Sequence, residues 1–162
     1  MLKVSRVIAV ALVAAGLSSV ASAQKFDNRR LFFGGGFAQN SISNFDNATG
    51  FQVFGGYNFP ELARKFSVDA EAGYMDTGNF KRTGPTAEKK AKGLWGSGVA
   101  RYMAAPQVEL LGRLRYDFGD DDGVLYGIGA GYILNKNLKL RLEYVVRDSV
   151  DSFQFNVVFY PW

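Results

Sequence analysis

The sequence of 162 residues contains neither cysteine nor histidine. Without cysteine there is no disulfide framework, so stability has to come from backbone pairing and burial. Without histidine a Ser-His catalytic arrangement is impossible, and the commonest metal ligand and proton shuttle is missing. Proline is scarce, with 4 residues against 19 glycines, 14 phenylalanines and 8 tyrosines. That balance favours strands over helices. Charge of one sign is also weak. The formal net charge is +4, and Lys3 and Arg6 account for two of those positive charges. Such a small excess gives no case for nucleic acid as a partner. Long apolar runs are missing beyond the first residues, so no helix is expected to span a membrane.

The one apolar run has the parts of an export signal. Lys3 and Arg6 precede an apolar and glycine stretch from Val7 to Leu17, and Ala21-Ser22-Ala23 offers a small-x-small cleavage pattern before Gln24. The stretch is shorter than the roughly 20 residues a spanning helix needs. The expectation is a signal peptide over residues 1–23, cut between Ala23 and Gln24, and one domain over 24–162. The alternative is an N-terminal membrane anchor.

The rest of the chain alternates. In Leu138–Arg147, Leu138, Leu140, Leu142, Tyr144 and Val146 share one face, while Lys139, Arg141, Glu143 and Arg147 share the other. Period two means a strand with one apolar and one polar face. In a membrane, turning the charged face to lipid would cost about 2–4 kcal/mol per Lys or Arg near the midplane. The leucines are therefore expected outside and the charges inside. The same alternation recurs in Phe66–Asp76, Val108–Phe118 and Val124–Leu134. With Arg30–Asn40, Thr49–Phe59, Gly93–Ala104 and Ser152–Trp162 the expected strands number eight. Each is long enough to span, at about 9–11 residues. Short turns such as Ala105-Pro106-Gln107 and Asn135-Lys136-Asn137 contrast with a long polar connection near Thr77–Lys92.

Gly55-Gly56-Tyr57, Val68-Asp69-Ala70-Glu71-Ala72-Gly73-Tyr74, Tyr126-Gly127-Ile128-Gly129-Ala130-Gly131-Tyr132 and Arg141-Leu142-Glu143-Tyr144 follow one another in an order that resembles the OmpA-like family of outer-membrane barrels. The resemblance covers the barrel alone, so the peptidoglycan binding of two-domain members is not part of what it implies. It implies an all-β fold, an eight-stranded antiparallel up-and-down transmembrane barrel in the bacterial outer membrane. It also implies that Tyr160 and Trp162, near the end of the last strand, are read by the barrel assembly machinery. In this sequence the alternation of Phe153, Phe155, Val157 and Phe159 puts those residues outward. An outward Tyr160 and Trp162 would then need a bulge near Val158–Tyr160.

Inward charges form the main candidate site. Asp69, Glu71, Glu109, Asp117 and Glu143 are expected to face Arg101, Arg113, Arg115, Lys139, Arg141 and Arg147 across the lumen. Near balance is what a narrow interior needs, because an unpaired buried charge costs several kcal/mol. The set reads as a structural ion-pair network. The competing readings are a gated ion path or paired carboxylates doing acid–base work. The family often has a lumenal glutamate paired with arginine where Glu71 stands. Gly127-x-Gly129-x-Gly131 lacks nucleotide-loop spacing and reads as small residues on a crowded inner face. Asp120-Asp121-Asp122 does not fit a calcium loop and reads as a hairpin turn, the alternative being a loose divalent-cation site against the lipopolysaccharide surface. No catalytic, cofactor-binding or metal-ligating residue is assigned. Lys81, Arg82, Lys89, Lys90 and Lys92, against Glu88, make the long connection cationic; it reads as a solvated loop, and the alternative is contact with lipopolysaccharide phosphates or another anionic surface.

Three functions are open at this point. One is a barrel with a structural or surface-interaction role among outer-membrane lipid and lipopolysaccharide. Another is a narrow channel, although eight strands enclose a space that side chains roughly fill. A soluble lipocalin-type carrier fits less well, because its interior would be apolar.

Overall fold

A computed structural model describes residues 27–42, 47–81, 88–89, 91–118, 123–147 and 150–162. The signal segment with Ala23 and Gln24, the aspartates 120–122, and Arg82 and Lys90 lie outside the described residues. A single 3-10 turn, Asn28–Arg30, leads into the first strand, with the Asp27 carboxylate accepting from the Arg29 backbone N–H. The strands are β1 Leu31–Ile42, β2 Ala48–Asn58, β3 Phe66–Asp76, β4 Phe80–Lys81, β5 Glu88–Lys89, β6 Lys92–Ala105, β7 Val108–Asp117, β8 Gly123–Asn135, β9 Leu138–Arg147 and β10 Val150–Phe159.

Eight of them close into an antiparallel barrel in the order β1-β10-β9-β8-β7-β6-β3-β2. Sequential strands are neighbours, and β10 returns to pair with β1, from Phe33 opposite Phe159 to Ile42 opposite Val150. Closure pairs every barrel strand on both sides, which a bilayer without water demands of any spanning sheet. The short β4 and β5 pair with each other inside the long connection, where the sequence shows no strand alternation.

Alternation sorts the side chains. Phe37, Tyr126, Ile128, Phe153 and Leu142 stand exposed on the outer wall, whereas Asp69, Glu109, Arg141 and Asn156 are buried at 0% exposure inside. An outside more apolar than the inside is the arrangement of a barrel in lipid. Among the described residues no helix is long and apolar enough to cross a membrane, and the crossing is made by strands.

One end carries the two-residue turns Pro106-Gln107 and Lys136-Asn137, the β2–β3 link, the start of β1 and the end of β10. Short turns mark the periplasmic side of such barrels, so the connection containing β4 and β5 faces outward from the cell. Lys65 takes a left-handed φ of 66° in the β2–β3 link, where its carbonyl accepts from the Met103 N–H.

The last strand corrects the reading of its end. Its ladder with β1 runs without a shift from Val150 to Phe159, so there is no bulge near Val158–Tyr160. Register shifts fall instead at Met103/Ala105 and Ile133/Asn135, beside the tight turns. Tyr160 and Trp162 lie beyond the strand. The alternation carries Tyr160 inward onto Phe32, with ring centroids 5.2 Å apart, and leaves Trp162 exposed.

Candidate functional site: the ion-paired interior

The interior charges come from four strands: Asp69 and Glu71 on β3, Arg101 on β6, Glu109 and Arg113 on β7, Lys139, Arg141 and Glu143 on β9. Strand β8 lies between β7 and β9 and contributes glycine at the same level. Gly131 is the register partner of both Glu109 and Arg141, and Gly129 of both Leu111 and Glu143. A Cβ on Gly131 would lie 2.6 Å from the Glu109 Cγ, and one on Gly129 would lie 2.8 Å from the Glu143 Cγ. The Gly-x-Gly-x-Gly run thus vacates the space in which its neighbours' long side chains fold.

Those side chains form one chain of alternating sign. Lys139 Nζ reaches Glu109 at 3.1 Å, and Glu109 accepts from Arg101 at 3.0 Å. Arg101 meets Asp69 at 2.8 Å, and Asp69 meets Arg141 at 3.4 Å. Arg141 donates to one Glu71 oxygen at 2.5 Å, while Arg113 donates to the other at 2.7 Å. Arg113 ends on Glu143 at 2.6 Å and 3.1 Å, and also donates to Ser97 Oγ at 2.9 Å. Four acids and four bases leave this set neutral. Burying an ion costs several kcal/mol even after relaxation, so each arginine is held between two carboxylates to offset it.

Toward the loop end the interior changes character. Gln52 Nε2 donates to Gln154 Oε1 at 2.9 Å and to Asn156 Oδ1 at 2.8 Å, and its oxygen accepts from Arg115 at 3.2 Å. Arg115 pairs with Asp117 at 2.5 Å, touches the Met75 sulfur, and lies 4.4 Å from the Trp95 ring centroid. Asn156 donates to Glu143 at 3.4 Å and so joins the two parts. Above them Asn40 donates to the Thr77 carbonyl at 2.9 Å. At the periplasmic end Phe32 and Tyr160 cover the charges, with Lys139 Nζ 4.9 Å from the Tyr160 ring and Arg141 5.6 Å from the Phe32 ring.

Of the eleven expected interior charges, ten have described side chains, and all ten lie inside. Eight belong to the alternating chain and Arg115 with Asp117 stand apart. Arg147 ends β9 opposite Val150, and its side chain lies outside the description. Gln52, Gln154, Asn156 and Trp95 also line the interior, and none of them carries a charge. Their strand phase was available as the signal, since each has the inward parity of its neighbours. In the long connection, Lys81 and Lys89 belong to the backbone pairs of β4 and β5, and Lys92 opens β6 as an exposed residue.

The model of the outer membrane protein beta-barrel domain matches residues 8–159. No curated protein sequence matches the chain. Among solved structures, a de novo designed transmembrane β-barrel is similar at 18% identity and TM-score 0.55, covering 84% of this chain and 98% of its own. Ail, the attachment invasion locus protein of Yersinia pestis, solved with the heparin analogue sucrose octasulfate, is similar at 14% identity and TM-score 0.52, with 80% and 95% covered. The outer membrane enzyme PagL is similar at 9% identity and TM-score 0.51, with 79% and 98% covered. Likeness at these identities speaks for the fold. The family match, the closed eight-stranded barrel and its apolar outer wall agree, and the chain belongs to the outer membrane protein β-barrel domain family of the bacterial outer membrane.

Proposed function

We propose that this protein is a non-enzymatic, non-conducting barrel that supports the envelope and meets lipopolysaccharide through its cationic outer connection. The observation that carries the first half is the alternating chain from Lys139 to Glu143, which crosses an interior already narrow by strand number. Its charges are paired with one another, and moving an ion past them would require opening buried pairs. The second half rests on Lys81, Arg82, Lys89, Lys90 and Lys92, five cations in a connection at the extracellular end. Surface pairs are individually small, at about 0–1 kcal/mol. Together they make a salt-dependent attraction to phosphate.

Two measurements test the proposal. Refolded protein in planar bilayers is expected to show no steady conductance, whereas regular unitary steps would make it a channel. Replacing the five cations with Gln is expected to leave the barrel folded and to weaken binding to purified lipopolysaccharide at low salt. Equal binding by the variant at low and moderate salt would reduce the connection to ordinary solvated surface.

A further inference from the structure

The periplasmic cover of the interior has two halves, and they are held differently. Phe32 sits inside β1, between Leu31 and Phe33, and all three pair with β2. It is wholly buried over Gly56, where a Cβ would run into its ring. Tyr160 lies outside any strand. The ladder of β10 with β1 stops at Phe159 opposite Phe33, one position short of it. On the β9 side it is fastened to a single turn residue. Its N–H donates to the Asn137 carbonyl at 2.7 Å, and Asn137 Nδ2 donates to the Tyr160 carbonyl at 2.6 Å. Pro161 follows and has no N–H with which to carry the pairing on.

The Tyr160 ring marks where solvent stops. The Lys139 side chain, whose Nζ lies 4.9 Å from the ring centroid, keeps 12% of its surface exposed, while its partner Glu109 keeps none. Val158, on the same inward phase of β10 and opposite Lys139, is wholly buried behind the ring. The ring is seated but its tip is not. Among the described residues the buried Tyr160 hydroxyl has no hydrogen-bond partner, although Arg101, Glu109 and Arg141 are its charged neighbours. What holds Tyr160 is therefore the contact with Phe32, one cation–π contact and two hydrogen bonds to one residue, each of them individually small.

We infer that Tyr160 is a lid on the ion-paired interior, hinged after Phe159 and latched by Asn137, which opens to let periplasmic water and small ions reach Lys139 and Glu109. The inference rests on the proposed non-conducting interior and adds the point at which that interior exchanges with solvent. Opening uncovers the Lys139–Glu109 pair. The links beyond it, Asp69 with Arg141 and Glu71 with both Arg113 and Arg141, still close the way across. Lid and ion chain are thus two barriers in series, and opening the first gives access without conduction.

The chain has no cysteine, so a single introduced thiol reports access. Val158→Cys puts one behind the lid, and Val145→Cys puts one toward the loop end, beyond Glu143. Each protein is refolded in lipid nanodiscs, which leave both ends of the barrel open to solvent. It is then labelled with the charged reagent sulfonatoethyl methanethiosulfonate and followed by mass. Adding Tyr160→Ala to Val158→Cys is expected to speed labelling by at least roughly tenfold, and adding Asn137→Ala, which removes one latch bond, by roughly threefold to tenfold. Tyr160→Phe keeps the ring and should leave the rate as it was. None of the three should change labelling of Val145→Cys. A gel shift on boiling checks folding, and Asn137→Ala carries the test should Tyr160→Ala not fold. Unchanged labelling of Val158→Cys in both backgrounds overturns the lid. Acceleration by Tyr160→Ala with none by Asn137→Ala makes Tyr160 a fixed cover and overturns the latch. Acceleration by Tyr160→Phe equal to that by Tyr160→Ala overturns the ring as the closing element. Equal acceleration of Val145→Cys means general loosening and also overturns the lid. Unitary conductance steps from wild type would strike the non-conducting reading, and labelling of Val158→Cys would still decide the lid by itself.

Discussion

Toward the end with the tight turns the barrel interior is held by ions of alternating sign. Toward the long connection it is held by amides and one arginine stacked on an indole. In the first region every group is useful only while its neighbours are charged: Glu71 gives one oxygen to Arg113 and the other to Arg141. In the second, Gln52 serves Gln154, Asn156 and Arg115 with a neutral side chain that can both donate and accept. The difference teaches where the interior is fragile. An ion left alone in a dry space loses its whole compensation, while an amide left alone loses one or two hydrogen bonds.

The largest effect is therefore expected from Glu71→Ala. It leaves Arg113 with Glu143 and Arg141 with Asp69, each short of one carboxylate, and should cost about 3–5 kcal/mol. Urea unfolding in lipid vesicles, followed by gel mobility, measures it. A cost under about 1 kcal/mol would mean that water reaches the site and the pairs are not dry.

Gln52→Ala should cost less, about 1–3 kcal/mol, because it removes hydrogen bonds to groups that keep other partners. Asn156 keeps Glu143, and Arg115 keeps Asp117. Should Gln52→Ala prove as damaging as Glu71→Ala in the same unfolding series, the contrast between the two regions would be void.

Trp95→Phe is expected to cost roughly 0.5–2 kcal/mol, from a weaker cation–π contact with Arg115 and a smaller ring beside Phe54. Among the described residues the indole N–H has no hydrogen-bond partner, so its removal should strand nothing. A larger loss in the unfolding midpoint would point to a polar role for the indole.

The smallest effect is expected from changing Glu71 and Arg141 together to Met. Replacing a buried pair by apolar groups of similar volume is often neutral. Asp69 retains Arg101, and Arg113 retains Glu143. The double variant should lie within about 1 kcal/mol of wild type. If it is as unstable as Glu71→Ala, the pair belongs to a network that cannot be taken apart pairwise.

Much of this was legible in advance. The alternation of Leu138–Arg147 states which side chains face lipid, because no other assignment keeps Lys139 and Arg141 out of hydrocarbon. The same logic located the eight barrel strands and the glycine run of β8, but not the short β4 and β5. The end of β10 was not legible. Two rules with period two, the phenylalanine alternation and the terminal aromatic pattern, disagreed there by one residue. A one-residue slip turns a side chain to the opposite face. Only the unbroken ladder with β1 settled that Tyr160 goes inward.

The sequence by itself determined the number of barrel strands, the inside and outside of each of them, and the near balance of interior charge, since all three follow from local periodicity and the cost of burying ions. Which carboxylate meets which arginine was left to the tertiary structure. Those partners are far apart in sequence, as Glu71 and Arg141 are, and they meet only because closure of the barrel sets the stagger between strands that share no ladder.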